Sequence, residues 1–364
     1  MIVKNETKAL KRCLESVKPL IDYWVICDTG STDGTQELIM EVMKDIPGEL
    51  HEHPWKDFGH NRTRALEAAK DKADYLIFID ADEEFVYPEN YSMPHLDKDF
   101  YFITIKNERW GRVVSEYKRP LLIKTALDWK WVGVLHETLA PFDGRSGEVL
   151  WDIDNISRTE DGYRFQNPDK FLHDADVLVK ALETEPDNTR HMFYAGQSYM
   201  NAHRPADALK YFKMRIEQNN EKSDELELFP ALFLIGVLSE NVQKGMEEIV
   251  DAYSRASLYA PNRAEPLYYM GSYLLTKNNF FLSELVLKKA NELSVPKNEV
   301  HYVQEWIYEW GILYRLAECT YRIGKFDESR RYMQRALKID ALPEKERSAL
   351  LENLQKINEM KQAS

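Results

Sequence analysis

The sequence predicts an α/β domain followed by an all-α array of helical hairpins. Three observations carry that reading. Up to about residue 165, short runs rich in Val, Ile, Tyr and Phe alternate with amphipathic segments and Gly/Asp-rich turns. Beyond about residue 168, the apolar spacing is helical almost without a break. Within that second region one plan recurs: a small residue in a first helix, a short turn, then a second amphipathic helix.

Taken in order, the strand candidates are "MIV" (1–3), "YWVIC" (23–27), "YLIFI" (75–79), "FYFITI" (100–105) and "PLLIK" (120–124). Helical spacing of apolar residues falls at Thr7–Val17, Gly34–Met43 and Asn61–Lys70. Strands alternating with helices imply βα units and a largely parallel sheet with helices on its faces. The first strand is unusually short. In the helical half, the blocks at 193–212, 233–253, 269–291 and 314–337 place Gly196, Gly236, Gly271 and Ala317 alike. Their offsets of 40, 35 and 46 residues scatter around the roughly 34-residue tetratricopeptide period. Gly196, Tyr199, Ala208 and Phe212 fit that repeat's spacing, and Pro186 and Pro261 sit where repeat boundaries fall. This half therefore resembles an irregular tetratricopeptide-like array, whose stacked helix pairs leave a groove for a partner or serve as a support. The expected domains are 1–165 and 166–364.

With 364 residues, the chain has room for two or three cores. A net charge of −13 argues against a nucleic-acid partner, which needs a basic surface to neutralise phosphates. Cys13, Cys27 and Cys319 are odd in number and without metal-ligand spacing, so they read as ordinary thiols of a reducing compartment. No apolar run approaches the ~20 residues of a membrane span, and Lys4, Asn5, Glu6 and Lys8 interrupt any signal-peptide core. The expectation is a cytoplasmic protein with no membrane span; composition leaves its oligomeric state open.

Two stretches carry chemistry. The turn "CDTGSTDGT" (27–35) follows the second strand and is built from residues that favour tight turns. By itself it is a loop and a helix start; at the carboxyl end of a parallel strand it is also where open α/β sheets bind ligands. It holds neither GxGxxG nor a Walker lysine, which disfavours dinucleotide and P-loop sites. The second stretch, "YLIFIDADEEF" (75–85), runs a buried strand into four acidic residues. Side chains alternate along a strand, so Asp80 and Asp82 share a side. Two converging carboxylates repel unless one holds a proton or a cation lies between them. Mg²⁺ takes one or two protein carboxylates and completes its shell with water and substrate phosphate. An isolated DxD is equally a solvated acidic loop. A third candidate, His136-Glu137, follows Trp129, Trp131 and the turn residue Gly133. It is either a structural pair or a ligand beside a base, and adjacent strand residues could not do both jobs unless the backbone bends.

Together, "MIVKNE", "CDTGSTDGT", "DFGHNRTRAL", "IFIDADEEF" and "VGVLHETL" (132–139) resemble, in order and spacing, family 2 glycosyltransferases. Those enzymes have the GT-A fold, a Rossmann-like mixed sheet, and some carry appended tetratricopeptide-like helices. The resemblance implies that Val3, Lys4, Asn5 and Glu6 line the nucleotide pocket. Asp28 would face uracil and ribose with Asp33 near it, and Arg62 would stand by the diphosphate. Asp80 would bond the ribose beside Ala81. Asp82 and His136 would hold Mn²⁺ or Mg²⁺. Glu137 would be the base, with Asp161, Glu108 and Glu116 as rivals. Thr63 stands where many relatives have Asn. The implied activity is metal-dependent, inverting transfer of a sugar from a nucleotide sugar, a UDP-sugar by the Asp28-type turn. UDP-glucose and UDP-N-acetylglucosamine are the two donors considered, and the acceptor is a glycan or a protein or peptide docked on the helices. Two other readings compete: a nucleotidyltransferase, which would want a Gly- and Lys/Arg-rich loop near the first strand, and a helical-repeat adaptor with a degenerate transferase domain. Trp110, Tyr117 and Trp129 are candidates to stack on a sugar, Lys118-Arg119 to meet an anion, and Tyr163 and Arg164 to cover the donor pocket.

Overall fold

In the computed structural model, residues 1–218, 225–296 and 303–362 are described. They form two compact units, Met1–Pro186 and Asp187–Ser364.

The first unit opens with three βα steps. Strands β1 (Ile2–Val3), β2 (Trp24–Asp28) and β3 (Gly48–Glu52) form a parallel sheet in that order. Helices α1 (Leu10–Val17), α2 (Thr35–Val42) and α3 (Phe58–Ala69) follow them in turn. Val3, Leu10, Leu14, Ile26 and Ile39 make the shared core. Thereafter come β4 (Tyr75–Ile77), β5 (Glu83–Val86), β6 (Phe100–Arg109), β7 (Arg112–Lys124), β8 (Lys130–Val132), β9 (Thr138–Ala140) and β10 (Gly147–Ser157). Five of these build a second sheet in the order β4-β7-β6-β10-β5, while β8 and β9 pair as a small antiparallel ribbon. Helix α4 (Lys170–Ala181) belongs to this unit, which runs past residue 165.

The expectation of a largely parallel sheet holds for β1–β3 and for β10 beside β6. Elsewhere the second sheet is antiparallel. The cause is local: Trp110 (φ 52°) and Gly111 (φ 71°) form a two-residue turn with both centres left-handed, which folds β6 directly back on β7. Ile103, Ile105, Leu121 and Ile123 on these two strands are fully buried.

The second unit is built of helix pairs. Helices α5 (Thr189–Asn201) and α6 (Pro205–Glu217), α7 (Leu228–Asn241) and α8 (Met246–Tyr259), α9 (Glu265–Thr276) and α10 (Phe280–Ala290), and α11 (Ile312–Arg322) and α12 (Phe326–Ala336) pack two by two, and α13 (Glu344–Gln362) follows. The small residues read from sequence are the contact points. A Cβ on Gly196 would meet the Phe212 ring at 3.1 Å, one on Gly236 the Tyr253 ring at 2.5 Å, and one on Gly271 Leu287 at 2.6 Å. In each case a large side chain of the second helix lies against the backbone of the first. Each turn also places one residue in the left-handed region: His203, Gln243, Asn278 and Gly324. The next residue's N–H closes the helix end, as Lys244 does on the Ser239 carbonyl at 2.9 Å. Left-handed backbone strains any residue with a Cβ, and exposed Gln243 gains nothing from its side chain. Gln243→Gly is therefore expected to stabilise the second unit by about 0.5 kcal/mol, after the extra chain entropy of glycine is deducted. A urea midpoint that falls instead would contradict this.

Candidate active site

The site lies at the carboxyl ends of β1, β2 and β4, where the loops after them meet. Two of these loops are laced together. Val3 carbonyl accepts from the Thr29 N–H at 2.9 Å and hydroxyl at 3.0 Å. Asn5, at φ 56°, accepts from the Thr32 N–H at 2.8 Å and donates its own N–H to the Ser31 hydroxyl at 2.9 Å. The Glu6 N–H donates to the Thr35 hydroxyl at 2.9 Å. Asp28 is fully buried, and both its oxygens serve the turn. Oδ1 accepts from the Gly30 and Ser31 N–H groups at 3.0 and 2.9 Å, and Oδ2 from Gln36 Nε2 at 2.6 Å. Asp33 ties the Thr7 hydroxyl (2.8 Å) to that of Thr35 (2.6 Å). Both aspartates thus shape the loop with their carboxylates.

Helix α3 brings Arg62 into the centre. Its Nη2 donates to Asp80 Oδ1 at 2.7 Å, its Nε to Glu137 Oε1 at 2.5 Å, and its guanidinium lies 5.2 Å from the Trp131 ring centroid. Burial opposes the charge, but Asp80 and Glu137 outweigh it and hold the guanidinium protonated more firmly than usual. Glu137 reaches this partner because the loop between β8 and β9 is seated on the start of α3. The Phe58 N–H donates to the Val134 carbonyl at 3.1 Å, and a Cβ on Gly59 would lie 2.2 Å from the Gly133 oxygen. Residues 133–137 are not strand, and His136 adopts φ 54°. The backbone therefore bends between His136 and Glu137, leaving His136 exposed while Glu137 turns inward.

The acidic stretch separates into neutralised and unneutralised groups. Asp80 is held below the usual carboxylate range: burial opposes its charge, but Arg62 and Arg119 prevail. Glu83 accepts from the Asp80 N–H and from Asn155 Nδ2, each at 2.9 Å, and pairs with Arg119 at 3.3 Å. Glu84 pairs with Arg158 at 2.5 Å and Arg12 at 3.6 Å. Ala81 is buried in the core of the first sheet. Asp82 has no cationic partner among the described residues; burial, then the Asp80 and Glu83 carboxylates, push it up to about 7. Glu6 is likewise pushed up to about 7 by burial, then by Asp33 and Asp80 after a bond from the Tyr163 N–H at 3.2 Å offsets part of the shift. The Glu6 charge is also among those that raise Asp82.

The segment after β10 covers this pair. A Cβ on Gly162 would stand 3.1 Å from Asp82 Oδ2, and the Tyr163 N–H meets Glu6. Arg164 pairs with Asp174 and lies 4.6 Å over the Phe58 ring. Asp161 sits on the same segment, but its carboxylate pairs with Arg12 at 2.9 Å and faces water. Glu108, another rival base, pairs with Arg158 at 2.9 Å, and Glu116 is exposed. Of the aromatic candidates, Trp129 is core, packed against Phe142 and Arg145, whereas Trp110 is exposed at the β6–β7 turn. Lys118 lies over the Trp151 ring, while Arg119 points back to Glu83. The roles of Arg12 and Asn155 were not readable from sequence, because each acts on a carboxylate some 70 positions away.

Among the described residues, no three His, Cys, Asp or Glu side chains gather as a metal cluster. The donors at hand are Asp82 and Glu6. Two half-buried carboxylates that hold protons near neutrality for want of a positive neighbour fit a divalent cation shared with a substrate phosphate.

Residues 1–89 match the model of "Glycosyl transferase family 2". Glycosyltransferase SunS of Bacillus subtilis strain 168 is 25% identical over 252 residues, 65% of this chain and 57% of that protein. A TPR repeat-containing protein of Synechococcus elongatus is 28% identical over 187 residues, 51% of this chain and 37% of that protein. The chain thus spans little over half the length of the SunS relatives it matches. Among solved structures, MamA aligns with 47% of this chain and 89% of its own at 17% identity and a TM-score of 0.39, too low for argument. No helix among the described residues is long and apolar enough to cross a membrane. The laced loops, the central arginine and the acidic strand end lie in the segment, residues 1–89, that matches the family 2 glycosyl transferase model, and the first unit is similar to glycosyltransferases of that family.

Proposed function

We propose that the first unit is a metal-dependent, inverting glycosyltransferase moving a sugar from a UDP-sugar, UDP-glucose or UDP-N-acetylglucosamine, to a hydroxyl of a glycan or peptide acceptor. The observation that carries this reading is the pair Asp82 and Glu6, pushed to about 7 beside an arginine-held Asp80 at the strand ends. Asp82 and Glu6 would hold Mn²⁺ or Mg²⁺, with His136 as a further candidate ligand. Bound there, the ion supplies positive charge against the departing diphosphate. Val3 and Asn5 border the nucleoside, and Asp28 and Asp33 keep the facing loop in shape. Asp80 accepts from the ribose while Arg62 fixes its orientation. Arg62 also offers its guanidinium to the diphosphate; in doing so it loosens Glu137, which then takes the acceptor proton. Asp161 is the alternative base once Arg12 releases it. The helix pairs of the second unit offer a surface for a peptide acceptor.

Thermal shift with UDP, GDP and CDP, each with and without Mn²⁺, tests the reading. UDP with Mn²⁺ at about 100 times its Kd is expected to raise the melting temperature by roughly 5–10 °C. Stabilisation by GDP or CDP alone would overturn the donor assignment. No stabilisation by any nucleotide would favour the adaptor reading.

A further inference from the structure

Where β3 ends, the chain crosses to α3 through Pro54, Trp55, Lys56 and Asp57. This short link is pinned along its length. Asn61, in the first turn of α3 and 1% exposed, donates its Nδ2 to the Pro54 carbonyl at 3.1 Å. Its Oδ1 accepts from the Lys56 N–H at 2.9 Å. Asp57 caps the helix by accepting from the His60 N–H at 2.7 Å. One buried side chain thus grips the backbone on both sides of Trp55. The Trp55 side chain itself is not core. The residue is 42% exposed, and its ring meets that of Phe58 edge to face, with centroids 4.7 Å apart. Fixing a large aromatic group in water costs conformational entropy and leaves apolar surface wet, so folding alone does not account for it.

Trp55 stands on the rim of the site. β3 lies beside β2, and the His53 N–H donates to the Asp28 carbonyl at 2.9 Å. Phe58 and Arg62 are four residues apart, so they share one face of α3 with their Cβ atoms roughly 6 Å apart. Arg62 in turn holds Asp80 at 2.7 Å. Phe58 also carries the Arg164 guanidinium, 4.6 Å from its ring centroid. The aromatic rim therefore runs from the end of β3 to the segment that covers Glu6 and Asp82. The two laced loops offer no such surface. Neither the loop after β1 (residues 4–7) nor the turn after β2 (29–34) contains an aromatic residue, and both Asp28 oxygens are spent on the turn.

We propose that Trp55 is the stacking platform for the nucleobase of the donor, with Asn61 as its positioning residue. The inference rests on the nucleotide-sugar reading above and names the group that holds the base. With the ribose at Asp80, the base lies toward the ends of β2 and β3, within reach of the indole. Stacking suits this rim because every base has a π-face. The clamped link also has little mobility left to lose when the base arrives.

Calorimetric titration of the parent, Trp55→Ala and Trp55→Phe with UDP, UDP-glucose and pyrophosphate, each with Mn²⁺, tests this. Trp55→Ala is expected to weaken UDP binding about tenfold or more and to leave pyrophosphate binding unchanged, while Trp55→Phe recovers most of the loss. UDP is expected to quench tryptophan fluorescence more in the parent than in Trp55→Phe. Asn61→Ala should weaken UDP binding in the parent but add nothing in the Trp55→Ala background. Equal UDP affinity of the parent and Trp55→Ala would overturn the proposal. So would equal losses for UDP and pyrophosphate, which would make the indole a support for the loop. A loss confined to UDP-glucose would assign Trp55 to the sugar and overturn the base assignment. An additive Asn61→Ala effect would remove Asn61 as the positioning residue. A parent that binds none of the three ligands would overturn the transferase reading itself, whereas UDP binding indifferent to Trp55 sinks only the stacking.

Discussion

Asp82→Asn is expected to abolish sugar transfer and at the same time to make the ligand-free protein more stable. The two effects have one cause. Asp82 is pushed to about 7 by burial and by the Asp80 and Glu83 carboxylates, so at pH 8 the fold holds an ionised group that it disfavours. A carboxyl whose folded pKa exceeds its unfolded value, about 4, stabilises the fold fully only below that value. That contribution disappears as pH rises through 7. At pH 8 the cost is on the order of 2–4 kcal/mol, and a neutral amide of the same shape removes most of it. The variant should therefore melt several degrees above the parent at pH 8 and match it at pH 4. Mn²⁺ should no longer strengthen UDP binding. Full retained turnover would remove Asp82 from the metal site; a lower melting temperature at pH 8 would mean that its carboxylate has a positive partner. In the parent protein, Mn²⁺-dependent UDP binding is expected to weaken steeply below pH 7, as protons compete for Asp82 and Glu6.

Arg62→Met is expected to be the most destabilising single change in the first unit, costing about 3–5 kcal/mol. The guanidinium stands between Asp80 and Glu137, at 2.7 and 2.5 Å, and its side chain is 10% exposed. Removal leaves two carboxylates, Glu137 and Asp80, facing each other without a cation. The triple variant Arg62→Met, Asp80→Asn, Glu137→Gln should recover most of the loss, because no charge then remains unpaired. Urea unfolding of the three proteins measures this. If the single and triple variants were equally unstable, packing against Trp131 rather than charge would be the arginine's contribution.

Strand β10 shows why part of the fold was hidden in the sequence. Its run "GEVLWDIDNIS" places Glu148, Asp152 and Asp154 among apolar residues, so it was not among the strand candidates. In the sheet it lies between β6 and β5, and Lys106 neutralises Asp154 at 2.6 Å. β3, "GELHE", is likewise half polar and was not expected. β5 looked like the tail of an acidic loop, yet Glu83–Val86 pairs antiparallel with β10. In each case a partner from elsewhere supplied what the local pattern lacked.

What the sequence determined by itself were features decided within a few residues. The alternation of strand and helix, the glycines of the helix pairs and the delivery of Asp80 and Asp82 by a buried strand all follow from short-range periodicity. Only the tertiary structure decided which acidic groups are neutralised. Arg62 reaches Asp80 from 18 positions away, Asn155 reaches Glu83 from 72, and the Tyr163 N–H reaches Glu6 from 157. Chain order does not contain those distances or the burial that sharpens them. Electrostatic energy depends on both, so four adjacent acids of similar appearance became two neutralised glutamates, one arginine-held aspartate and one, Asp82, left wanting a cation.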